Sequence, residues 1–299
     1  MDLSIISVTH NNEQVLPEFL DSLKPYLTEN KGNKIEAVIV DNASSDDSMK
    51  LLKSEKDLHV IQTDINLGFS KANNVGIIKA TGRYLLFLNS DTKFSKEVFP
   101  YLITQMDANP KFGAMTCRVL LPDGTDDLNT LRNFPTPRAA LCHFLGLNKL
   151  FPNNRFFNGY FLTSLDPTKV HSIPACGGSF LLTRREIIEK LGGWDEDYFL
   201  YGEDLDLCFR IKKLGYEIIY DPHVSITHYG GVSTGIKKSG EHLSSASKEK
   251  RREMADHSVD AMGIFYKKNL APHNPFYING LVKLGMISLR ILRKISFSA

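Results

Sequence analysis

Short, nearly unbroken apolar stretches punctuate the first ninety residues: residues 3–8, 37–40 and 84–88. A strand buried on both faces, as in a parallel sheet, has this pattern. Between the stretches, Val15, Leu16, Phe19, Leu20 and Leu23 recur at helical spacing. Met49, Leu51 and Leu52 follow a polar loop, residues 42–48, whose Ser and Asp side chains suit a helix N-cap. Residues 59–61 predict a short strand and residues 73–80 a helix. Strand–helix–strand order at this spacing predicts right-handed parallel crossovers and an α/β sheet.

The pattern loosens over residues 120–173, where Pro122, Pro135, Pro137, Pro152 and Pro167 interrupt it and aromatics such as Phe134, Phe151, Phe157 and Tyr160 gather. This stretch predicts an insertion over a site, either ordered or a mobile lid. Regular structure returns with a strand at 179–182, helices at 185–191 and 203–214 (the latter closed by Gly215), and a strand at 217–220 that ends in Asp221. Residues 235–257 are polar and predict a loop entering a helix. Residues 281–295 fit an amphipathic helix, with Lys283, Arg290 and Lys294 on one stripe and Leu284, Ile287, Leu289, Ile291 and Leu292 supplying apolar surface. From Ala261 onward there are six Lys or Arg and no Asp or Glu. Such a helix suits an anionic membrane surface; the alternative is a terminal helix packed on the domain with a solvated basic face.

Composition narrows the function classes. The chain has 299 residues with 42% hydrophobic content, enough for one sizeable core. A net charge of +2 gives no global case for nucleic-acid binding. Cys117, Cys142, Cys176 and Cys208 lack the spacing of a zinc site or a disulfide framework. No apolar run approaches the ~20 residues a membrane span needs. With no signal-peptide pattern at the start, a reducing cytosol is the expected compartment, and the Asn42-Ala43-Ser44 sequon is read as chance.

Candidate chemistry sits at the strand ends, where open α/β sheets bind ligands. Residues 3–8 run into Thr9-His10-Asn11-Asn12, and residues 37–40 into Asp41-Asn42. Asp41 can accept hydrogen bonds from a nucleobase or ribose, although a helix cap explains it as well. In Asn66-Leu67-Gly68-Phe69-Ser70-Lys71-Ala72-Asn73-Asn74, Gly68 allows close backbone approach, and Lys71 or the asparagines can face phosphate or base. A plain turn before a helix accounts for the same residues. Tyr84-Leu85-Leu86-Phe87-Leu88 leads directly into Asn89-Ser90-Asp91, and one carboxylate there is the right ligation for Mg²⁺ or Mn²⁺ held mainly by substrate phosphates. Gly202-Glu203-Asp204-Leu205-Asp206 packs three acids at a helix start, which the helix dipole tolerates. His228 closes an alternating strand and reads as structural or auxiliary.

Taken in order, these segments resemble family 2 glycosyltransferases with the GT-A fold. Val38-Ile39-Val40-Asp41-Asn42-Ala43-Ser44-Ser45-Asp46 resembles the V-D-N-x-S-x-D nucleotide motif, and Asn66 to Gly76 the N-x-G-F-x-x-A-N-N-x-G segment. Asn89-Ser90-Asp91 stands at the D-x-D position. Gly177-Gly178-Ser179-Phe180 and Gly193-Trp194-Asp195-Glu196-Asp197-Tyr198-Phe199 resemble acceptor-side motifs, Gly202-Glu203-Asp204 the E-D motif, and His228-Tyr229-Gly230-Gly231 the late H-x-x-G. Within the family, the similarity is to bacterial rhamnosyltransferases of O-antigen and cell-wall glycan synthesis.

The resemblance implies roles residue by residue. Thr9 and Asp41 would hold the base and ribose of the donor, with Asn11, Asn42, Asn66, Gly68, Lys71, Asn73, Asn89 and Ser90 around it. Asp91 and His228 would serve a divalent cation, Mg²⁺ or Mn²⁺, on the diphosphate. Asp204 would be the catalytic base of an inverting transfer, and Gly178, Trp194, Asp195 and Glu203 would face the acceptor. Asn89 in place of a first Asp leaves the cation fewer carboxylates than the motif supplies. The implied donor is dTDP-rhamnose, with a UDP-sugar as the alternative, and the implied acceptor a glycan or lipid-linked hydroxyl. Residues 1–231 would form the transferase domain, nucleotide half 1–118 and acceptor half 119–231, and residues 232–299 a helical extension contacting the cytoplasmic face of the membrane. A nucleotidyltransferase needs a glycine- and base-rich first loop, which Thr9-His10-Asn11-Asn12-Glu13 lacks. A non-catalytic sugar-nucleotide binder fits poorly with the joint presence of Asp91, Asp204 and His228.

Overall fold

A computed structural model describes residues 1–28, 33–151, 154, 156–230 and 247–298. The elements run β1 (Leu3–Thr9), α1 (Leu16–Thr28), β2 (Ile35–Asp41), α2 (Ser48–Ser54), β3 (His59–Gln62), α3 (Phe69–Lys79), β4 (Tyr84–Leu88), β5 (Thr92–Phe94), α4 (Val98–Ala108) and β6 (Phe112–Leu120). They continue with α5 (Pro137–Phe144), α6 (Leu147–Leu150), β7 (His171–Ile173), β8 (Phe180–Arg184), α7 (Arg185–Leu191), α8 (Glu203–Lys213), β9 (Glu217–His228), α9 (Lys248–Phe265) and α10 (Phe276–Ser298). A π-helical turn, Tyr266–Leu270, and a 3-10 turn, Ala271–His273, join the last two helices.

The strands form one sheet in the order β3-β2-β1-β4-β8-β6-β9-β5, with β7 beside β9. The β3, β2, β1 and β4 strands are parallel neighbours, as the sequence pattern predicts. The β8 strand enters antiparallel between β4 and β6. The parallel sheet then resumes between β6 and β9, with β5 and β7 antiparallel on β9.

The unbroken apolar runs follow from burial on both faces. Along β4, Tyr84, Leu86 and Leu88 join one core with Phe19, Leu23, Phe99 and Leu102 from α1 and α4. Leu85 and Phe87 join the other, with Trp194, Leu207, Ile211 and Phe265. Successive side chains point to opposite faces, so a strand covered by helices on both sides has no position left for a polar residue. Trp194 stands edge-on to Phe87 at 4.8 Å. Truncating such a fully buried aromatic costs ~3–5 kcal/mol.

Several elements differ from expectation. The α3 helix starts at Phe69 rather than Asn73, because Gly68 precedes it at φ +79° and Phe69 N–H donates to Phe199 O at 2.7 Å, fixing the first turn against a distant segment. The β5, α4 and β6 elements fill a stretch from which the apolar pattern predicted nothing. The insertion carries α5, α6 and β7. The helix expected after the polar loop is α9, whereas residues 235–246 of that loop, and Gly231 of the late motif, lie outside the described residues. The terminal helix begins at Phe276, five residues before the expected 281.

Candidate active site

The parallel strands end together, and their polar tips share one rim. Thr9 and Asp41 are the last residues of β1 and β2 and are paired in register. Both are fully buried. Among the described residues, Thr9 Oγ1 and Asp41 Oδ1 have no hydrogen-bond partner. Leaving a buried polar group unpaired costs ~1–3 kcal/mol, so two neighbouring ones mark a place that an ordered water or a ligand group would satisfy; the other Asp41 oxygen accepts Ser44 N–H at 3.3 Å.

Around them the loops are tied down. Asn11, at φ +53°, receives Ser45 N–H on Oδ1 at 2.7 Å, while its own N–H donates to Ser44 Oγ at 3.0 Å. Asn42 Nδ2 donates to Asn66 Oδ1 at 2.9 Å, and Asn42 Oδ1 accepts Leu67 N–H at 2.8 Å. Asn66 Oδ1 also accepts Gly68 N–H at 2.9 Å. A Cβ at Gly68 would lie 2.5 Å from Phe199 O, so glycine is required there by space as well as by φ. Asn11, Asn42, Asn66 and Gly68 thus shape the loops beside the orphaned pair. Asn73 is not brought there: its amide donates to Phe69 O at 2.9 Å inside α3. Lys71 is exposed and contributes to lowering the Asp197 carboxyl, after the larger effects of Lys268 and Lys267, which places it on the acceptor-side segment.

Beyond β4, Ser90 Oγ accepts Asn12 Nδ2–H at 2.8 Å and donates to Val8 O at 3.2 Å, joining the tips of β4 and β1. Asp91 follows, and β9 ends in His228 beside it. His228 Nε2 lies 3.2 Å from Asp91 Oδ1 and 3.3 Å from Asn89 Nδ2. On the other side of the ring, Nδ1 lies 3.3 Å from Asp127 Oδ2. The ring therefore lies between two carboxylates, with the Asn89 amide beside Nε2, and Asp91 Oδ1 and His228 Nε2 form a pair 3.2 Å apart. Neighbouring ligands of a cation bound at ~2.1 Å are themselves ~3 Å apart, so the pair fits a divalent cation that completes its shell with phosphate and water oxygens. Asp127 then occupies the place of the carboxylate that orients a ligating histidine. Among the described residues, no group of three His, Cys, Asp or Glu side chains forms a metal cage by itself.

Asp204 sits in the first turn of α8, which Gly202 opens at φ +77°. Its Oδ2 accepts Gly178 N–H at 3.0 Å and pairs with Arg132 Nη2 at 2.5 Å, and Oδ1 accepts Leu205 N–H at 2.7 Å. Arg132 Nη2 also donates to Cys176 O at 2.8 Å. The neighbouring backbone reaches the cation-site residues, since Ser179 O accepts Asn89 N–H at 3.1 Å. Gly178 and Ser179 therefore stand between Asp204 and the Asn89–Asp91–His228 group. Glu203 is buried, with Oε2 unpartnered among the described residues, and burial first, then the Asp204 charge, pushes its carboxyl up to about 8.

Two other acceptor-side residues sit differently. Trp194 is a core side chain, edge-on to Phe69 and Phe87 and 2% exposed. Asp195 pairs with Lys268 at 2.5 Å, tying the acceptor-side segment to the π-helical turn. Asp127 and Arg132 were not singled out from the sequence. Asp127 is one of three acids in an ordinary-looking Asp-Gly turn, and Arg132 is a lone cation in an irregular stretch, with no spacing to mark either.

Comparison with known proteins decides the family. Residues 4–192 match the model of Glycosyl transferase family 2. The chain belongs to that family. It is 26% identical over 266 residues to the N-acetylglucosaminyl-diphospho-decaprenol L-rhamnosyltransferase of Mycobacterium tuberculosis, covering 85% of this chain and 84% of that one. It is also 26% identical to the rhamnosyltransferase WbbL of Escherichia coli K12, over 75% of this chain and 82% of the relative. Among solved structures, the mannosyltransferase of Pyrobaculum calidifontis, with GDP-Man and Mn²⁺ bound, superposes with a TM-score of 0.54 at 17% identity, covering 99% of this chain and 85% of that one. This family 2 glycosyltransferase therefore has the GT-A fold, as its motifs implied.

Proposed function

We propose that this glycosyltransferase moves rhamnose from dTDP-rhamnose to a hydroxyl of a lipid-linked glycan, with inversion, in the synthesis of a cell-surface polysaccharide. The observation that carries the reading is the continuity of the rim: the orphaned Thr9–Asp41 pair, the Asp91–His228 pair and Asp204 follow one another, joined through Gly178 and Ser179. The names of the M. tuberculosis and E. coli relatives support the sugar, and the decaprenol-linked substrate named for the first supports the acceptor class. A lipid-linked acceptor places the work at the cytoplasmic face of the membrane.

In this reading, Thr9 Oγ1 and Asp41 Oδ1 hydrogen-bond the base and ribose of the donor, while Asn11, Asn42, Asn66 and Gly68 keep their loops in place. Asp91 and His228 would hold a divalent cation, with Asn89 and Asp127 positioning the imidazole; bound there, it would supply charge stabilisation for the diphosphate leaving group. Asp204 takes the proton of the acceptor hydroxyl as its oxygen forms the new bond to the anomeric carbon. The bond from that carbon to the diphosphate oxygen breaks on the opposite face. The acceptor hydroxyl replaces one of the hydrogen bonds that Asp204 Oδ2 makes to Arg132 or Gly178. Arg132 pairs with the carboxylate before the acceptor arrives.

A panel of dTDP- and UDP-sugars, with Mn²⁺, tests the donor through thermal stabilisation, because a ligand at 100 times its Kd adds ~2.7 kcal/mol of stability. The reading expects dTDP-rhamnose to give the largest shift and to be consumed when acceptor is added. A UDP-sugar giving the largest shift replaces the donor assignment, and transfer by none of them refutes the function.

A further inference from the structure

The terminal helix α10 has two apolar faces, and one of them is exposed. At 100° per residue, Ile278, Val282, Met286 and Leu289 fall on one side. All four are half-buried, and Met286 packs against Gly263 of α9. Tyr266 O–H donates to Asn279 Oδ1 at 2.6 Å, and Arg290 pairs with Asp260 of α9, so this side is anchored. On the opposite side, Tyr277, Leu281, Leu284, Ile287 and Ile291 form a second stripe about 21 Å long. Leu281 is 63% exposed, Leu284 62% and Ile291 54%. Phe276, 87% exposed, stands edge-on to Tyr277 at the start of the helix.

Charge says what covers this stripe. Lys283 lies along one flank of it, beside Arg290, whose charge is already paired with Asp260, and α10 contains four Lys or Arg and no acid. A symmetric pairing of two copies through the stripe would bring two acid-free basic helices together. An anionic phospholipid surface offers apolar tails to the stripe and phosphate to its flank. Among the described residues no helix is long and apolar enough to cross a membrane, so α10 would lie in the plane of the interface. Aromatic rings at the head of the stripe match the residue types favoured at that depth. A cavity of about 450 Å³ between α9, α10 and the segment leading to α8 is lined by Phe199, His257, Asp260, Lys267 and Arg290. Arg290 is common to the cavity and to the basic flank.

We infer that the outer stripe of α10 is a docking surface for an anionic phospholipid bilayer. It sets the enzyme on the membrane with the α9–α10 cavity beside the headgroups. The inference deepens the lipid-linked acceptor reading but rests on its own observations.

The test is sedimentation of the full chain with vesicles of phosphatidylcholine alone or with 30% phosphatidylglycerol, at low and high salt. The expected result is binding to the anionic vesicles that weakens with salt, since each cation near the surface adds about fivefold. The double substitution Leu284→Ser with Ile287→Ser, on exposed positions, should reduce partitioning at least tenfold while the melting temperature holds. Lys283→Ala should reduce it about fivefold. Failure of the wild type to prefer anionic vesicles, or wild-type partitioning of the double variant, overturns the inference. A concentration-dependent dimer abolished by the double variant, without vesicle binding, assigns the stripe to a second copy and overturns it too. Thermal stabilisation by dTDP in the same samples reads the donor site separately, so the two readings fail independently.

Discussion

The two rims of the central sheet are built from similar residues to opposite ends. At the amino rim most polar groups satisfy one another, although Arg185 Nη2 has no hydrogen-bond partner among the described residues. Buried Glu36 accepts Ser4 O–H at 2.5 Å, Thr81 N–H at 2.6 Å and Thr81 O–H at 2.8 Å, and these bonds outweigh burial to hold its carboxyl below the usual range. Arg83 pairs with Asp2 and Asp107, and Tyr84 O–H also donates to Asp107 at 2.8 Å. At the carboxyl rim, Thr9 Oγ1, Asp41 Oδ1 and Glu203 Oε2 are buried without partners among the described residues. One rim spends its polar groups on stability; the other keeps them unspent at a cost to stability, as binding sites do. Substitutions should therefore separate the rims, lowering activity at one and stability at the other.

The largest effect is expected at Asp204. Asp204→Asn should lower transfer by ~10²–10⁴-fold, with nucleotide affinity retained in calorimetry. Asp127→Asn should weaken Mn²⁺ binding in the presence of nucleoside diphosphate by ~10–100-fold, read by manganese EPR, because the imidazole loses its orienting carboxylate. At the other rim, Glu36→Ala should lower stability by ~1–3 kcal/mol in denaturant titration with kcat and KM unchanged, since it strands the buried Ser4 hydroxyl. Coupled loss of donor binding in that variant would blur the distinction between the rims.

The smallest effect is a pH slope. Glu203, with its carboxyl raised from 4.5 to about 8, holds in the folded state a proton that the unfolded chain releases. Its contribution to stability is full below about 4.5 and is lost as pH rises through about 8. Glu203→Gln should flatten the melting temperature against pH across that window. An unchanged slope would place the titration elsewhere.

How much of this was legible depended on locality. The β4 strand and Asp91 were legible because five apolar residues run directly into a polar tip, and two-face burial leaves no other pattern. The β6 strand was not, because Gly113, Thr116 and Arg118 interrupt its apolar signal although it is buried at six of nine positions between β8 and β9. The early start of α3 depends on a hydrogen bond to Phe199, far away in sequence. Asp41 was identified at its strand end, but its orphaned pairing with Thr9 follows from strand register. Asp127 and Arg132 acquire meaning only through His228 and Asp204, which lie 101 and 72 residues away. Local pattern carries elements, whereas partners come from topology.

The most direct test of the contrast between rims is Thr9→Val, assayed by thermal melting and by calorimetric titration of dTDP with Mn²⁺. The substitution removes a buried hydroxyl that has no partner within the described protein and keeps nearly the same shape. The account predicts a melting temperature equal to or above the wild type and a dTDP affinity at least several-fold weaker. A destabilised variant that binds dTDP as tightly as the wild type would contradict it.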